Sequence, residues 1–246
     1  QAKAEDLPII PHRLTPTTTN TFWVNLIGRG YPYPRRDFRW CTDRLKIDAS
    51  NRFIKSILDA ESEAIMVLGS RKAESAVRKA VLEGYEKKRY RAHLSPNGSF
   101  PNSYVFTPIE NWLNDNVWQY LVQVSNPWGH SNKDLLAMYS GASADGECPL
   151  VIDNSTPSCG NSRFGCWVCT MVTEDKSMAA MIQNDEEKAW MLPMLEFRNE
   201  IAADWQTDRE RRDFRRKDGR LTWHNNRLVH GPYTKKTREY FLRRLL

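Results

Sequence analysis

Four cysteines, Cys148, Cys159, Cys166 and Cys169, fall within 22 positions in the order Cys-x10-Cys-x6-Cys-x2-Cys, with Pro149, Pro157, Gly160 and Gly165 beside them. Thiols at this density ligate metal, and the prolines and glycines let the backbone turn tightly around an ion or cluster. Four thiolates suit tetrahedral zinc and a cubane iron–sulfur cluster alike. Zinc ribbons use two short Cys-x-x-Cys pairs, whereas only Cys166 and Cys169 form one here, so the spacing leans toward iron and sulfur. The plainer alternative, four buried thiols acting as small hydrophobes, fits poorly with the polar, Gly- and Ser-rich surroundings.

The fifth cysteine stands apart, in Arg39-Trp40-Cys41-Thr42-Asp43-Arg44-Leu45-Lys46. Basic neighbours lower a thiol pKa, which makes Cys41 a candidate sulfur carrier that holds sulfur as a persulfide. A half-buried structural thiol is an alternative of nearly equal weight. Arg44 and Lys46 either bind phosphate beside it or are solvated. A third set is Gly69, Arg71, Glu74 and Arg78 in Leu68-Gly69-Ser70-Arg71-Lys72-Ala73-Glu74-Ser75-Ala76-Val77-Arg78. Guanidinium forks at a strand-end turn grip phosphate or sulfate bidentately, with Glu74 orienting them. The competing reading is a surface ion pair between Glu74 and Arg78, four residues on. The Asp208 to Arg220 run reads as a solvated face or as a contact to DNA phosphates through Arg209, Arg211, Arg212, Arg215, Arg216 and Lys217. The five histidines are scattered, and none is assigned to metal.

These groups need elements to hold them. Residues 1 to 40, rich in Pro, Thr and aromatics, read as a loop or extended segment that covers a surface or gates a site. Phe53, Ile54, Ile57 and Leu58 recur at helical spacing after Ser50 or Asn51 as cap. Ala64 to Gly69 is a short apolar run ended by glycine, as in a buried parallel strand. The Gly69–Ser75 turn then enters an Ala- and Glu-rich helix to about Lys88. Ser103 to Ile109 reads as a second strand, followed by an amphipathic helix starting near Pro108-Ile109-Glu110. Trp112, Trp118 and Trp190 read as core. Residues 125 to 172 lack periodicity, which points to a segment organised by metal or ligand. Helices return at 174 to 204. The result is an α/β fold with residues 1–124 as a nucleotide-type domain and 125–246 as a cysteine-cluster and helical region.

Composition narrows the classes. At 246 residues with 40% hydrophobic content the chain can bury a core, and a formal net charge of +6 with pI near 9.1 favours a polyanionic partner. No apolar run approaches the roughly 20 residues needed to cross a bilayer. Free cysteines and the lack of signal-peptide zones predict a cytoplasmic protein.

The Gly69–Arg78 stretch resembles the Gly-x-Arg-x-x-Glu-Ser-x-x-Arg motif of the phosphoadenosine phosphosulfate reductase family. Thr107-Pro108-Ile109-Glu110-Asn111-Trp112 with Asn116-Val117-Trp118-Gln119-Tyr120-Leu121 is similar to its Pro-Ile-x-x-Trp and Asp-Val-Trp-x-Tyr signature. The segment from Asn126-Pro127-Trp128-Gly129-His130 through Gly146-Glu147-Cys148-Pro149 to Arg163-Phe164-Gly165-Cys166-Trp167-Val168-Cys169 looks like the DndC-type sulfurtransferases of bacterial DNA phosphorothioation. A related protein of the single-strand system resembles it as closely. The resemblance implies an adenine nucleotide alpha-hydrolase-like, ATP pyrophosphatase fold with an incomplete parallel sheet. It also implies a [4Fe-4S] cluster, ATP with magnesium, DNA as substrate, and a cysteine desulfurase and other phosphorothioation proteins as partners. The family's Ser-Gly-Gly-x-Asp-Ser phosphate loop, expected before residue 1, is not in this chain. Two further classes compete: reduction of adenylyl sulfate, whose four-iron enzymes use Cys-Cys pairs that this chain lacks, and a zinc-stapled DNA-binding or scaffold subunit.

Overall fold

A computed structural model describes residues 7–35, 38–127, 129, 131–142 and 164–246. Contacts divide the chain into one unit of residues 1–12 and 50–161 and another of 13–49 and 162–246. Residues 13–49 therefore belong with the C-terminal segment and not with a 1–124 domain.

In the second unit, a 3-10 turn over Thr18–Asn20 and one π-helical turn over Val24–Gly28 precede α1 (Trp40–Thr42). A further π turn over Asp43–Ile47 continues α1 into α2 (Asp48–Glu61), which from Ser50 on belongs to the first unit. Of the early segment, expected to cover a surface, residues 7–19 are mostly exposed, but residues 22–40 contribute to the core instead. Phe22, Leu26, Ile27, Tyr33 and Trp40 pack with Val168, Phe197, Ile201, Tyr233 and Phe241. Fully buried Asn25 donates its amide to the carbonyls of Thr21 at 2.8 Å and Thr19 at 3.1 Å, which satisfies its buried side chain inside the irregular turns. Gly30 has φ +72°, and a Cβ there would meet the Tyr233 carbonyl oxygen at 3.0 Å, so glycine is required on both counts.

The first unit carries a three-stranded sheet, β1 (Ala64–Val67), β2 (Leu94–Pro96) and β3 (Ser103–Phe106), in the order β1-β3-β2. β1 pairs parallel with β3, from Ala64 against Ser103 to Val67 against Phe106, and β2 pairs antiparallel with β3. The crossover from β1 contains α3 (Ala76–Glu86), capped by the Ser75 hydroxyl, which accepts from the Arg78 amide at 3.1 Å. The expected strand–helix–strand order holds and the class is α/β, but β1 is not buried on both faces. Ile65 and Val67 are 60% and 63% exposed, because among the described residues only one face of the sheet is covered. α4 (Asn114–Gln123) begins later than Pro108. Residues 107–112 stay in turns, and the Asn116 side-chain oxygen accepts from the Leu113 amide at 2.8 Å to start the helix. α5 (Asn132–Gly141), capped by Ser131, falls inside the stretch expected to be irregular and packs on α4 through Trp118 and Tyr139.

The second unit resumes with α6 (Lys176–Asn184), α7 (Leu192–Ile201) and α8 (Trp205–Glu210). A hairpin of β4 (Trp223–His224) and β5 (Arg227–Leu228) follows, then α9 (Lys235–Leu245). Asn225 and Asn226 turn the hairpin at φ 47° and 57°, the left-handed pair a two-residue connection needs. Trp118 is core as expected, while Trp190 is 65% exposed. Among the described residues no helix is long and apolar enough to cross a membrane.

Candidate functional site

β1 delivers the Gly69–Ser75 turn at its C-terminal end, the position where open α/β sheets hold ligands. The Leu68 amide donates to the Phe106 carbonyl at 2.9 Å, and the Lys72 amide to the Glu110 carbonyl at 2.8 Å, so the turn is pinned to β3 and to the turn that follows it. Arg71 is mostly buried. Its Nη2 donates to Asn114 Oδ1 at 2.9 Å, its Nε lies 3.8 Å from Glu74, and its backbone amide donates to Glu74 Oε1 at 3.2 Å. Arg71 Nη1 is buried without a partner among the described residues. Glu74 also holds Arg78 at 3.2 Å, so it orients both arginines while making the i,i+4 pair of the plainer reading. Gly69 has no left-handed φ, and a Cβ there would meet nothing nearer than Ile109 Cδ1 at 3.8 Å.

Behind this turn lies a group that sequence reasoning missed. Glu110 is fully buried and accepts from Thr107 Oγ1 at 2.9 Å and from the Arg89 guanidinium. His93 Nδ1 sits 3.1 Å from its other oxygen, off the line of a good hydrogen bond. Burial pushes the carboxyl up, but the hydrogen bonds from Arg89 and Thr107 and the charge of Arg89 outweigh it and hold Glu110 below the usual value. Glu110 braces the Gly69–Ser75 turn through its own carbonyl. The one signal in the sequence is a carboxylate inside Thr107-Pro108-Ile109-Glu110, a stretch that otherwise reads as the end of a strand.

Because the folded pKa is depressed, this carboxylate stabilises the fold above its unfolded value and loses that contribution as pH falls through the folded value. Glu110→Gln is expected to cost about 2 kcal/mol at neutral pH, by leaving Arg89 with Glu86, 3.7 Å away, as its remaining charged partner. It should also flatten the loss of stability below about pH 4.5. Denaturant titrations of both proteins across that range test this. An unchanged acid limb in the variant removes Glu110 from the account.

Of the four clustered cysteines, Cys148 and Cys159 lie outside the described residues. Cys166 is exposed and Cys169 half-buried, and the Cys169 amide donates to the Cys166 carbonyl at 2.8 Å, closing a turn across the Cys-x-x-Cys pair. Two thiols on one turn fit one edge of a four-cysteine set. Among the described residues, no three candidate ligands converge as a metal group would require. Arg198, fully buried on α7, fixes this segment by donating to the carbonyls of Cys169 at 2.9 and 3.0 Å, of Thr173 at 2.9 Å, and of Val172.

Cys41 lies in the same unit, half-buried against the aromatic core. The expected lowering of its pKa does not occur. Burial pushes the thiol up, and hydrogen bonding to Thr42 only partly opposes this. The flanking cations act elsewhere: Arg44 donates to Asn20 Oδ1 at 3.1 Å and to the Tyr31 hydroxyl at 3.0 Å, and Lys46 is exposed.

Residues 20–131 match the family model of the phosphoadenosine phosphosulfate reductase domain. That span contains Cys41, the sheet, the Arg71–Arg78 turn and Glu110, and ends before the clustered cysteines. A stretch of 111 residues, 44% of the chain, is 29% identical to an uncharacterized protein of Methanocaldococcus jannaschii. It covers 19% of that relative, so the match spans about a fifth of the relative's length. No solved structure matches the chain significantly.

Proposed function

We propose, taking the reductase-type domain across residues 20–131 as the premise, that the chain is the sulfur-transferring part of an ATP-dependent enzyme of DNA phosphorothioate modification. The observation that carries the reading is Arg71, a buried guanidinium at the carboxyl end of a parallel strand with one donor unspent. Such a fork suits the anionic oxygens of a nucleotide. The resemblance of its motifs to those of the DndC-type sulfurtransferases and the basic charge balance support ATP and DNA as the substrates.

In the proposed reaction a non-bridging oxygen of a DNA phosphodiester attacks the α-phosphorus of magnesium ATP, and pyrophosphate leaves. The sulfane sulfur of a cysteine persulfide, loaded by a cysteine desulfurase, then attacks the adenylylated DNA phosphorus. A P–S bond forms and AMP departs with the displaced oxygen. A thiol reductant supplies two electrons to cleave the S–S bond, leaving phosphorothioate on DNA and the cysteine as thiol. Arg71 and Arg78 hold the nucleotide's anionic oxygens, Glu74 aims them, and Cys41 is the proposed carrier. Cys166 and Cys169, with Cys148 and Cys159, are the proposed ligands of a [4Fe-4S] cluster, which when bound supplies electron storage or bracing.

The test is pyrophosphate release by the full-length protein with ATP, magnesium, DNA and its partner proteins. Release that depends on DNA supports the reading, and none under any combination ends it. The description of the matched domain favours one second reading, reduction of adenylyl sulfate or its phosphorylated form. Sulfite release from those substrates would select it.

A further inference from the structure

The second unit has a basic trench that the proposed chemistry does not use. One open cavity of about 1110 Å³ is lined by Arg29, Arg35, Arg44, Arg212, Arg216 and Lys217, together with Tyr31, Phe38 and Trp40. A second, of about 560 Å³, shares Arg35, Arg212 and Val229 with it and adds Arg209, Arg227, His224 and His230. The two are therefore neighbours that meet at the three shared residues, and the β4–β5 hairpin lines the second. Eight lysines and arginines face four aspartates, Asp43, Asp48, Asp208 and Asp218.

Three of those carboxylates are already engaged. Asp218 is held by Arg220 at 2.7 Å, Asp208 by the Tyr233 hydroxyl at 2.6 Å and Arg212 at 3.2 Å, and Asp48 accepts from the Asn20 amide at 3.1 Å. Several cations, in contrast, are fixed by neutral groups. Arg44 is held by Asn20 and Tyr31, Arg216 reaches the His230 carbonyl at 3.4 Å, and Arg29 reaches Asn25 Oδ1 at 3.4 Å. Held by uncharged oxygens, they are oriented while their field stays uncancelled. Arg35, lining both cavities, lies 3.9 Å from Asp208 through Nη1 and keeps its Nε without a partner among the described residues.

Exposed rings lie next to these cations in the chain, beside the residues that line the two cavities. On the hairpin, His224 and Arg227 pair across the strands and line the second cavity, while Trp223, 63% exposed, pairs with Leu228. Phe214, 50% exposed, lies between Arg212 and Arg216 in sequence, with the Arg215 guanidinium 5.1 Å from its ring centroid. Cations that track phosphates, interleaved with exposed aromatic faces on which unpaired bases stack, are the requirements of single-strand binding. We propose that this trench of the second unit binds a single nucleic-acid strand, with phosphates on Arg216, Lys217 and Arg227 and bases against Trp223 and Phe214. That the strand is DNA rests on the proposed function, whereas the charge and stacking argument does not.

The experiment is fluorescence anisotropy of a labelled single-stranded oligothymidine with the whole chain, without ATP, over a series of salt concentrations. Arg216→Ala with Lys217→Ala should weaken binding about tenfold and reduce the salt slope by about one to two units. Trp223→Ala should weaken it about tenfold with the slope unchanged. Arg216→Lys should bind as the parent does. All these side chains are exposed, so melting curves should not move; if the double variant does melt early, the single reversal Lys217→Glu makes the same test. Binding equal to the parent in every variant, no binding by the parent, or tighter binding of duplex overturns the proposal. Strand binding that responds to these variants, alongside absent pyrophosphate release, sinks the sulfur-transfer reading and leaves this one standing.

Discussion

Arg71→Ala is expected to lower DNA-dependent pyrophosphate release on the order of 10²–10³-fold, the usual size of effect when one positioned donor to a developing anionic charge is removed. Arg71 is anchored to Asn114 at 2.9 Å and to Glu74 at 3.8 Å, which fixes the plane of the guanidinium and leaves buried Nη1 unspent. Both anchors keep other partners or solvent when the arginine is gone, since Glu74 still holds Arg78 at 3.2 Å. The melting temperature should therefore fall by no more than a few degrees. Arg71→Lys separates charge from geometry, because an ammonium restores the charge without the planar fork. Activity near the parent's in that variant would mean that only charge is needed. Undiminished release in Arg71→Ala would remove the turn from the nucleotide site.

The second large effect is on stability. Arg198→Met should cost about 3–5 kcal/mol, because the carbonyls of Cys169, Val172 and Thr173 would lose their donor in a fully buried place. Burial lowers the Arg198 pKa, yet Asp175, Cys169 and Glu174 oppose that shift and favour the cation. Methionine fills the space of the stem without supplying a donor. A loss on the order of 10 °C in thermal unfolding is expected for a unit of this size. If the variant melts with the parent, the buried guanidinium does not hold the cysteine turn.

The parts of the fold that sequence made legible are those set by neighbours in the chain. β1, the turn after it and α3 follow from an apolar run, Gly69 and the Ser75 cap, all within a few residues. β2 was missed because Leu94-Ser95-Pro96 is too short to show alternation and is a strand only by pairing with β3. The core role of residues 22–40 was missed for a related reason: Tyr33 finds its partner in Tyr233, 200 positions away. Its local turns are π-helical and carry no 3.6-residue pattern. At the site, Arg71, Glu74 and Arg78 could be read from a motif. Glu110 could not, because its meaning comes from Arg89 and Thr107 closing around it. The reading of Cys41 from its flanks placed the basic neighbours by sequence alone, whereas burial decides its thiol's pKa.

The most direct test of the account supplies full-length protein with its partners, a cysteine desulfurase, cysteine carrying radiolabelled sulfur, ATP, magnesium and DNA, then digests the DNA and resolves its dinucleotides. The account predicts labelled phosphorothioate dinucleotides that form only when ATP is present and that disappear with Arg71→Ala. DNA without label under conditions where the desulfurase has loaded persulfide sulfur would contradict it.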